Sequence, residues 1–224
     1  MERYEMPLAA AYVRGANPGG LSGELLTKPL EELTQAELER IVDAGNGADL
    51  KLYHFKKKEM LPRVKAVLGF LRGIQPESLL DVGSGRGAFL FPFLTEFPWT
   101  RVTSVDLLPH RVEFLQCLSA GGVSNLTALQ QDLCTWNTEE TFDVVTLLEV
   151  LEHIPNVAQA VRNAVAMARR YVVVTVPSKP DDNPEHIHLL TQDVLTDLFK
   201  QAGCEKLRFS GVPGHLVLVA SVEK

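Results

Sequence analysis

The amino-acid sequence predicts an α/β fold in which a mainly parallel sheet is covered by helices, and three observations carry that prediction. After Pro76, five short runs recur that are β-rich and nearly all apolar: SLLDV, RVTSVD, NLTALQ, FDVVTLL and RYVVVTV. Runs apolar on both faces imply strands buried on both faces, and such strands belong to parallel sheets with helices packed above and below. Stretches of helical length separate the runs, around 87–96, 109–120 and 156–168. The end differs: KLRFSGV and HLVLVASV, split only by Pro213 and Gly214, read as an antiparallel hairpin at the sheet edge.

Taken in order, residues 1 to about 30 are rich in Gly, Pro and Ala without clear periodicity, and they read as an arm that folds over the site. Thr34 and Glu37 fit a capping box at the start of QAELERIVDAG, with Gly45 or Gly47 as the stop. From Phe55 to about Leu71, the apolar residues Leu61, Val64, Val67, Leu68 and Leu71 recur at helical spacing, which predicts one moderately long helix whose Pro62 must lie in or near the first turn. Near the end, TQDVLTDLFKQAG reads as a helix stopped by Gly203. The chain is thus expected to divide into an N-terminal arm and helical extension over 1–54, a candidate lid, and one α/β domain over 55–224.

Composition narrows the function classes. The 224 residues carry 46% hydrophobic and 22% charged side chains, ordinary values for a globular protein. A net charge of −6 gives no global attraction to phosphate backbones, so dedicated DNA binding is disfavoured. Cys117, Cys134 and Cys204 are widely spaced and form no CxxC pair, so they read as small buried side chains of a reducing compartment. No long apolar run suits a membrane span, and a cytoplasmic location is expected. Oligomeric state is not legible.

The chemistry concentrates where SLLDV runs into GSGRGAFLF. Asp81 ends a buried strand, where an unpaired carboxylate is costly, so it should accept hydrogen bonds from the loop or hold a cationic ligand. Gly83 and Gly85 permit positive φ and close approach of backbone to a ligand, and a helix beginning near Gly87 would present free N–H groups there. Asp106 ends the second strand, where a ribose hydroxyl meets a carboxylate, and a third acid, Asp132, follows the third strand. A glycine pattern alone is weak; strand, Asp-x-Gly-x-Gly, helix, strand and acid in that order predict a nucleoside-cofactor site. The spacing departs from the GxGxxG of a pyrophosphate site. Three acids suit a ligand with an ammonium, a ribose and an adenine but no phosphate, and S-adenosylmethionine (SAM) has that make-up. A nicotinamide-dependent oxidoreductase and a catalytically silent SAM-binding module are the competing readings.

LLDVGSGRGAFL, VTSVD, QQDL, FDVVTLLEVLEHIP, VVVTVPS and the closing hairpin together resemble the class I SAM-dependent methyltransferases, over about Leu79 to Val222. The resemblance implies a doubly wound, Rossmann-like sheet of seven strands, mostly parallel, with the last strand antiparallel. It also implies that Gly83, Ser84 and Gly85 line the methionine part of SAM, Asp106 with Leu107 the ribose, and Asp132 with Leu133 the adenine. Asp81 and Glu149 complete the expected cofactor set.

The segment EVLEH follows the fourth strand. On a helical turn positions i, i+3 and i+4 share a face, so Glu149, Glu152 and His153 are expected to converge. Two carboxylates and an imidazole suit Mg²⁺, Mn²⁺ or Zn²⁺. NPEHIHLLT adds His186 and His188 after the fifth strand, within reach of the same sheet edge. Small-RNA 2′-O-methyltransferases and ubiquinone-biosynthesis O-methyltransferases are similar here. The resemblance implies a divalent metal on Glu149, Glu152 and His153, completed by His186, whose spacing to Thr191 matches the RNA enzymes. Leu189 and Leu190 stand where the RNA enzymes carry an acid and an aromatic. The plainer reading of these side chains is that they bind loop backbone or touch substrate, and His54 and His215 read as structural.

A methyl on sulfonium is already activated, so the protein mainly has to align an acceptor with the S–CH₃ bond. His153, His186 or His188 would serve as general base for a hydroxyl acceptor, or a metal would lower its pKa. The expected function is methyl transfer from SAM to a hydroxyl or amine of a small molecule, with an RNA end as second choice.

Overall fold

A computed structural model describes residues 5–180 and 182–223. In chain order the helices are α1 (Met6–Ala16), α2 (Gly23–Thr27), α3 (Gln35–Gly47), α4 (Pro62–Ile74), α5 (Leu90–Glu96), α6 (Pro109–Ala120), α7 (Val157–Met167) and α8 (Gln192–Gln201). The strands are β1 (Ser78–Val82), β2 (Arg101–Asp106), β3 (Leu126–Gln130), β4 (Phe142–Leu148), β5 (Ala168–Pro177), β6 (Lys206–Val212) and β7 (His215–Ser221). Short 3-10 turns occupy Leu30–Glu32, Leu52–Phe55 and Leu151–His153.

The strands form one seven-stranded sheet in the order β3-β2-β1-β4-β5-β7-β6. β1 runs parallel to β2 and β4, β4 runs parallel to β5, and β7 is antiparallel to both β5 and β6. The fold class read from the sequence is the one observed. Strand order reverses between β1 and β4, and in open α/β sheets the crevice outside the carboxyl ends at such a switch point is where ligands bind.

The residues group into two compact units, one comprising the chain up to 59 with 108–129, the other 60–107 with 130–224. In the first, the opening segment is helical where the sequence suggested an irregular arm. α1 buries Leu8, Ala9, Ala10, Ala11 and Val13, so most of its circumference is covered and no amphipathic period remains to be read. It crosses α6 at backbone contact: a Cβ on Gly15 would fall 1.8 Å from the Cys117 carbonyl oxygen, and one on Gly121 1.7 Å from that of Ala11. α3 begins on the expected capping box, with the Glu37 amide donating to Thr34 Oγ1 (3.3 Å) and the Thr34 amide to Glu37 Oε2 (2.7 Å).

In the second unit β1 and β4 are buried almost throughout, and Leu79, Leu80, Val144, Val145, Leu147 and Val172 to Val174 form the centre of the core. Each such side chain contributes about 1.5–3 kcal/mol relative to exposure. α4 starts at Pro62, where a missing N–H costs nothing because first-turn amides have no intrahelical partner. Among the described residues no helix is long and apolar enough to cross a membrane.

Candidate active site

The carboxyl ends of β1, β2, β4 and β5 bring most of the expected residues to one edge of the second unit. β1 pairs with β2 through Val82 and Val105, which puts Asp81 and Asp106 at the ends of adjacent parallel strands. At Gly83 the chain turns with φ +67°, and the Gly83 amide donates to the Val105 carbonyl (2.8 Å). A Cβ here would meet Val150 Cγ2 at 2.8 Å, so glycine is required both by conformation and by the side chain packed against it. Gly85 also has positive φ, and the Ser84 hydroxyl is hydrogen-bonded to that of Ser104. The sequence placed a helix start near Gly87; α5 begins at Leu90 instead, after a turn closed by the Gly87 amide on the Ser84 carbonyl (2.9 Å).

Asp81 is 2% exposed. Its Oδ1 accepts from the Thr146 hydroxyl (2.8 Å), and its Oδ2 has no hydrogen-bond partner among the described residues. Burial pushes its carboxyl up to about 6; the hydroxyls of Thr146 and Ser84 oppose the shift and the neighbouring Asp106 adds to it. A buried carboxylate with one oxygen unpartnered is costly, and a cation placed against that oxygen would offset the cost.

Asp106 is buried at the end of β2, whereas Leu107 beside it is 59% exposed. The Asp106 carbonyl accepts from the Gln131 amide (3.2 Å), which brings the third acid's loop to this edge. Asp132 shapes that loop: its Oδ1 accepts from the Cys134 amide (2.8 Å), and its carbonyl from Thr135 and Trp136. Leu133 is buried, and Asn163 of α7 ties its carbonyl down (2.7 Å).

After β4 the geometry departs from the sequence expectation. Glu149 adopts left-handed φ +58°, and the helical turn begins only at Leu151 as a 3-10 turn. The shared face expected of an α-helix therefore does not form. A side-chain-bearing residue held in this region costs on the order of 1–3 kcal/mol and persists only where its surroundings enforce it. Here they do. Glu149 Oε1 accepts from the Thr175 hydroxyl (2.8 Å), Oε2 lies 3.0 Å from His215 Nε2, and Arg63 Nε stands 3.9 Å from Oε1. Arg63 Nη1 and His215 Nε2 are 3.3 Å apart.

The remaining polar residues form a second cluster. Side-chain ligand atoms of Glu152, His153 and His186 all lie within 4.8 Å of one another, and the two rings meet edge to face at 4.7 Å. Glu152 is fully buried, and the Ile187 amide donates to its carbonyl (3.0 Å). His153 Nδ1 lies 2.9 Å from the Glu185 carbonyl. His188 stands aside from the group, with Nε2 on the Ile154 carbonyl (3.1 Å). The structure thus joins Glu152, His153 and His186 but places Glu149 with Arg63, Thr175 and His215. Of these partners the sequence named only His215, and as a structural residue. Arg63 and His215 lie 152 residues apart, and no motif links them.

Comparison with known proteins agrees with this architecture. Residues 52–208 match the model of a family described as methyltransferase domain. The ribosomal RNA small subunit methyltransferase G of Alteromonas mediterranea is 29% identical over 127 residues, 56% of this chain and 59% of that protein. A ubiquinone biosynthesis O-methyltransferase of Vibrio campbellii is 30% identical over 149 residues, 65% of this chain and 57% of that one. The chain spans about half the length of the curated relatives it matches. Among solved structures, SAM-bound CalS10 of Micromonospora echinaspora, an amino pentose methyltransferase, superposes with a TM-score of 0.57 at 19% identity, over 74% of this chain and 92% of that one.

Proposed function

The chain belongs to the family of SAM-dependent methyltransferases, and from that premise we propose that it moves the methyl group of SAM to a hydroxyl of a small-molecule acceptor. The observation that carries the reading is Asp81, a buried carboxylate with an unpartnered oxygen beside a glycine bend at the sheet's switch point. That arrangement suits a cationic nucleoside ligand and repels a pyrophosphate. Asp106 and Asp132 are the candidates for the ribose and the adenine, with Leu107 and Leu133 beside them. Residues 83–85 are the candidates for the methionine chain.

SAM supplies an activated methyl group, and the chain's own contribution is to align the acceptor oxygen with the S–CH₃ bond and to receive its proton. Alignment of this kind is worth up to about 7–11 kcal/mol in favourable intramolecular cases. An acidic chain favours a small acceptor over RNA, since its net charge of −6 offers no general attraction to phosphates. Names of relatives point to both classes, ubiquinone biosynthesis and ribosomal RNA.

The convergence of Glu152, His153 and His186 favours a second reading, in which a divalent ion assists the transfer. The donor set fits such an ion. With Nδ1 of His153 on the Glu185 carbonyl, its Nε2 is left as the ligand, the arrangement by which a second contact orients a metal-binding imidazole. A bound ion would lower the pKa of the acceptor hydroxyl. Without one, His153 or His186 would serve as the base.

Titration calorimetry of the full chain with SAM, S-adenosylhomocysteine (SAH) and NAD tests the reading. SAM and SAH should bind and NAD should not; NAD binding alone would overturn it. Binding of SAM with no transfer to phenols, aliphatic alcohols, amines or RNA ends would favour a silent module. For the second reading, zinc or manganese should bind the wild-type chain and not His186→Ala; equal binding by both would remove His186 from the set.

A further inference from the structure

The Glu149 network is more than a strap between strands. Four elements converge on one carboxylate: the end of β4, Thr175 on β5, His215 at the start of β7 and Arg63 in the first turn of α4. The register explains the meeting, because Pro177 at the carboxyl end of β5 pairs with His215. The Glu149 amide itself donates to the Thr175 carbonyl (2.9 Å), extending the β4–β5 pairing by one residue before the chain turns. Val150, the next residue, lies against Gly83, so Glu149 leaves the sheet next to the glycine bend. The network is partly open to solvent: side chains of Arg63, Glu149 and His215 each keep about a fifth of their surface exposed. His215 places Nδ1 3.1 Å from the Pro213 carbonyl and Nε2 3.0 Å from Glu149 Oε2; a neutral ring donates to one of these acceptors and an imidazolium to both.

Resting on the SAM reading above, we propose that Glu149 is an anion facing the cofactor, aimed by His215, Arg63 and Thr175, and that it makes the site discriminate between SAM and SAH. Methyl transfer breaks the S–CH₃ bond, the bonding pair stays on sulfur, and the cationic sulfonium becomes a neutral thioether. A carboxylate fixed near that sulfur attracts the ligand before transfer and loses the attraction afterwards. Arg63 stands further from the carboxylate, at 3.9 Å, than Thr175 and His215, and its charge offsets part of the field that Glu149 presents. His215 is a positioning residue, because it acts only through Glu149.

The test is calorimetry of SAM and SAH with the full chain, in wild type, Glu149→Gln, His215→Ala and His215→Gln. Glu149→Gln should weaken SAM about tenfold relative to SAH. His215→Ala should move the ratio the same way by a smaller factor, and His215→Gln, which keeps a donor, should restore most of it. If Glu149→Gln does not fold, the two His215 variants decide by the same ratio. A change that weakens both ligands equally, or a His215→Ala protein that melts lower with the wild-type ratio intact, overturns the inference alone. Wild type that binds neither ligand overturns the SAM reading and this inference with it.

Discussion

Asp81 and Glu149 are carboxylates at the same edge of the sheet, at the ends of neighbouring strands, and the fold treats them in opposite ways. Asp81 is sealed from water, has the hydroxyls of Thr146 and Ser84 beside it, and keeps one oxygen with no hydrogen-bond partner among the described residues. Glu149 is partly open and is held by a hydroxyl, an imidazole and a guanidinium drawn from three elements. One is a buried carboxylate with an unsatisfied oxygen; the other is set in place at the cost of a strained backbone. Position on a strand therefore does not define an acid's role. What surrounds each oxygen does.

The contrast breaks most visibly at Asp81. Asp81→Asn keeps an acceptor for Thr146 and removes the charge. SAM affinity should fall about 30-fold or more, the lower end of the ~2–5 kcal/mol lost when one partner of a buried charge pair is removed. The ligand-free protein should melt no lower than wild type, because the burial penalty of the carboxylate goes with the charge. Unchanged SAM affinity by calorimetry would mean that the unpartnered oxygen is not where the cation binds.

Gly83→Ala probes the seam between the two carboxylates. It places a Cβ 2.8 Å from Val150 Cγ2 at a residue with φ +67°, and should destabilise the chain by about 1–3 kcal/mol in urea unfolding. Adding Val150→Ala should recover the steric part and leave the conformational part. A Gly83→Ala protein as stable as wild type would show that the bend yields.

A smaller effect, and the one that sharpens the comparison, is the pH dependence of Asp81. Its folded pKa of about 6 lies above the ordinary 3.8. Asp81 therefore favours the ligand-free fold fully below about 3.8, and that contribution is lost as pH rises through 6. A cation selects the ionised form, so SAM should bind about tenfold more weakly at pH 5 than at pH 7, and Asp81→Asn should flatten the profile. A wild-type profile that stays flat over that window would show that Asp81 does not ionise to meet SAM.

Much of the fold was legible because its signals are local. SLLDV and RVTSVD match β1 and β2, and 109–120 matches α6, since continuous apolar runs and a proline at the first helical position are properties of a few neighbouring residues. α1 was not legible, because a helix rich in alanine and covered on most sides shows no period. The EVLEH expectation assumed an α-helical face; the left-handed Glu149 and a 3-10 turn separated Glu149 from Glu152 and His153.

By itself the sequence determined which residue types stand at the strand ends, and with them the α/β class and the glycine bend flanked by acids, because burial and turn chemistry act over short distances. Only the tertiary structure decided how those acids are partnered. Arg63, Thr175 and His215 reach Glu149 from three separate elements, and a pairing set by sheet order and strand register leaves no trace in the spacing along the chain.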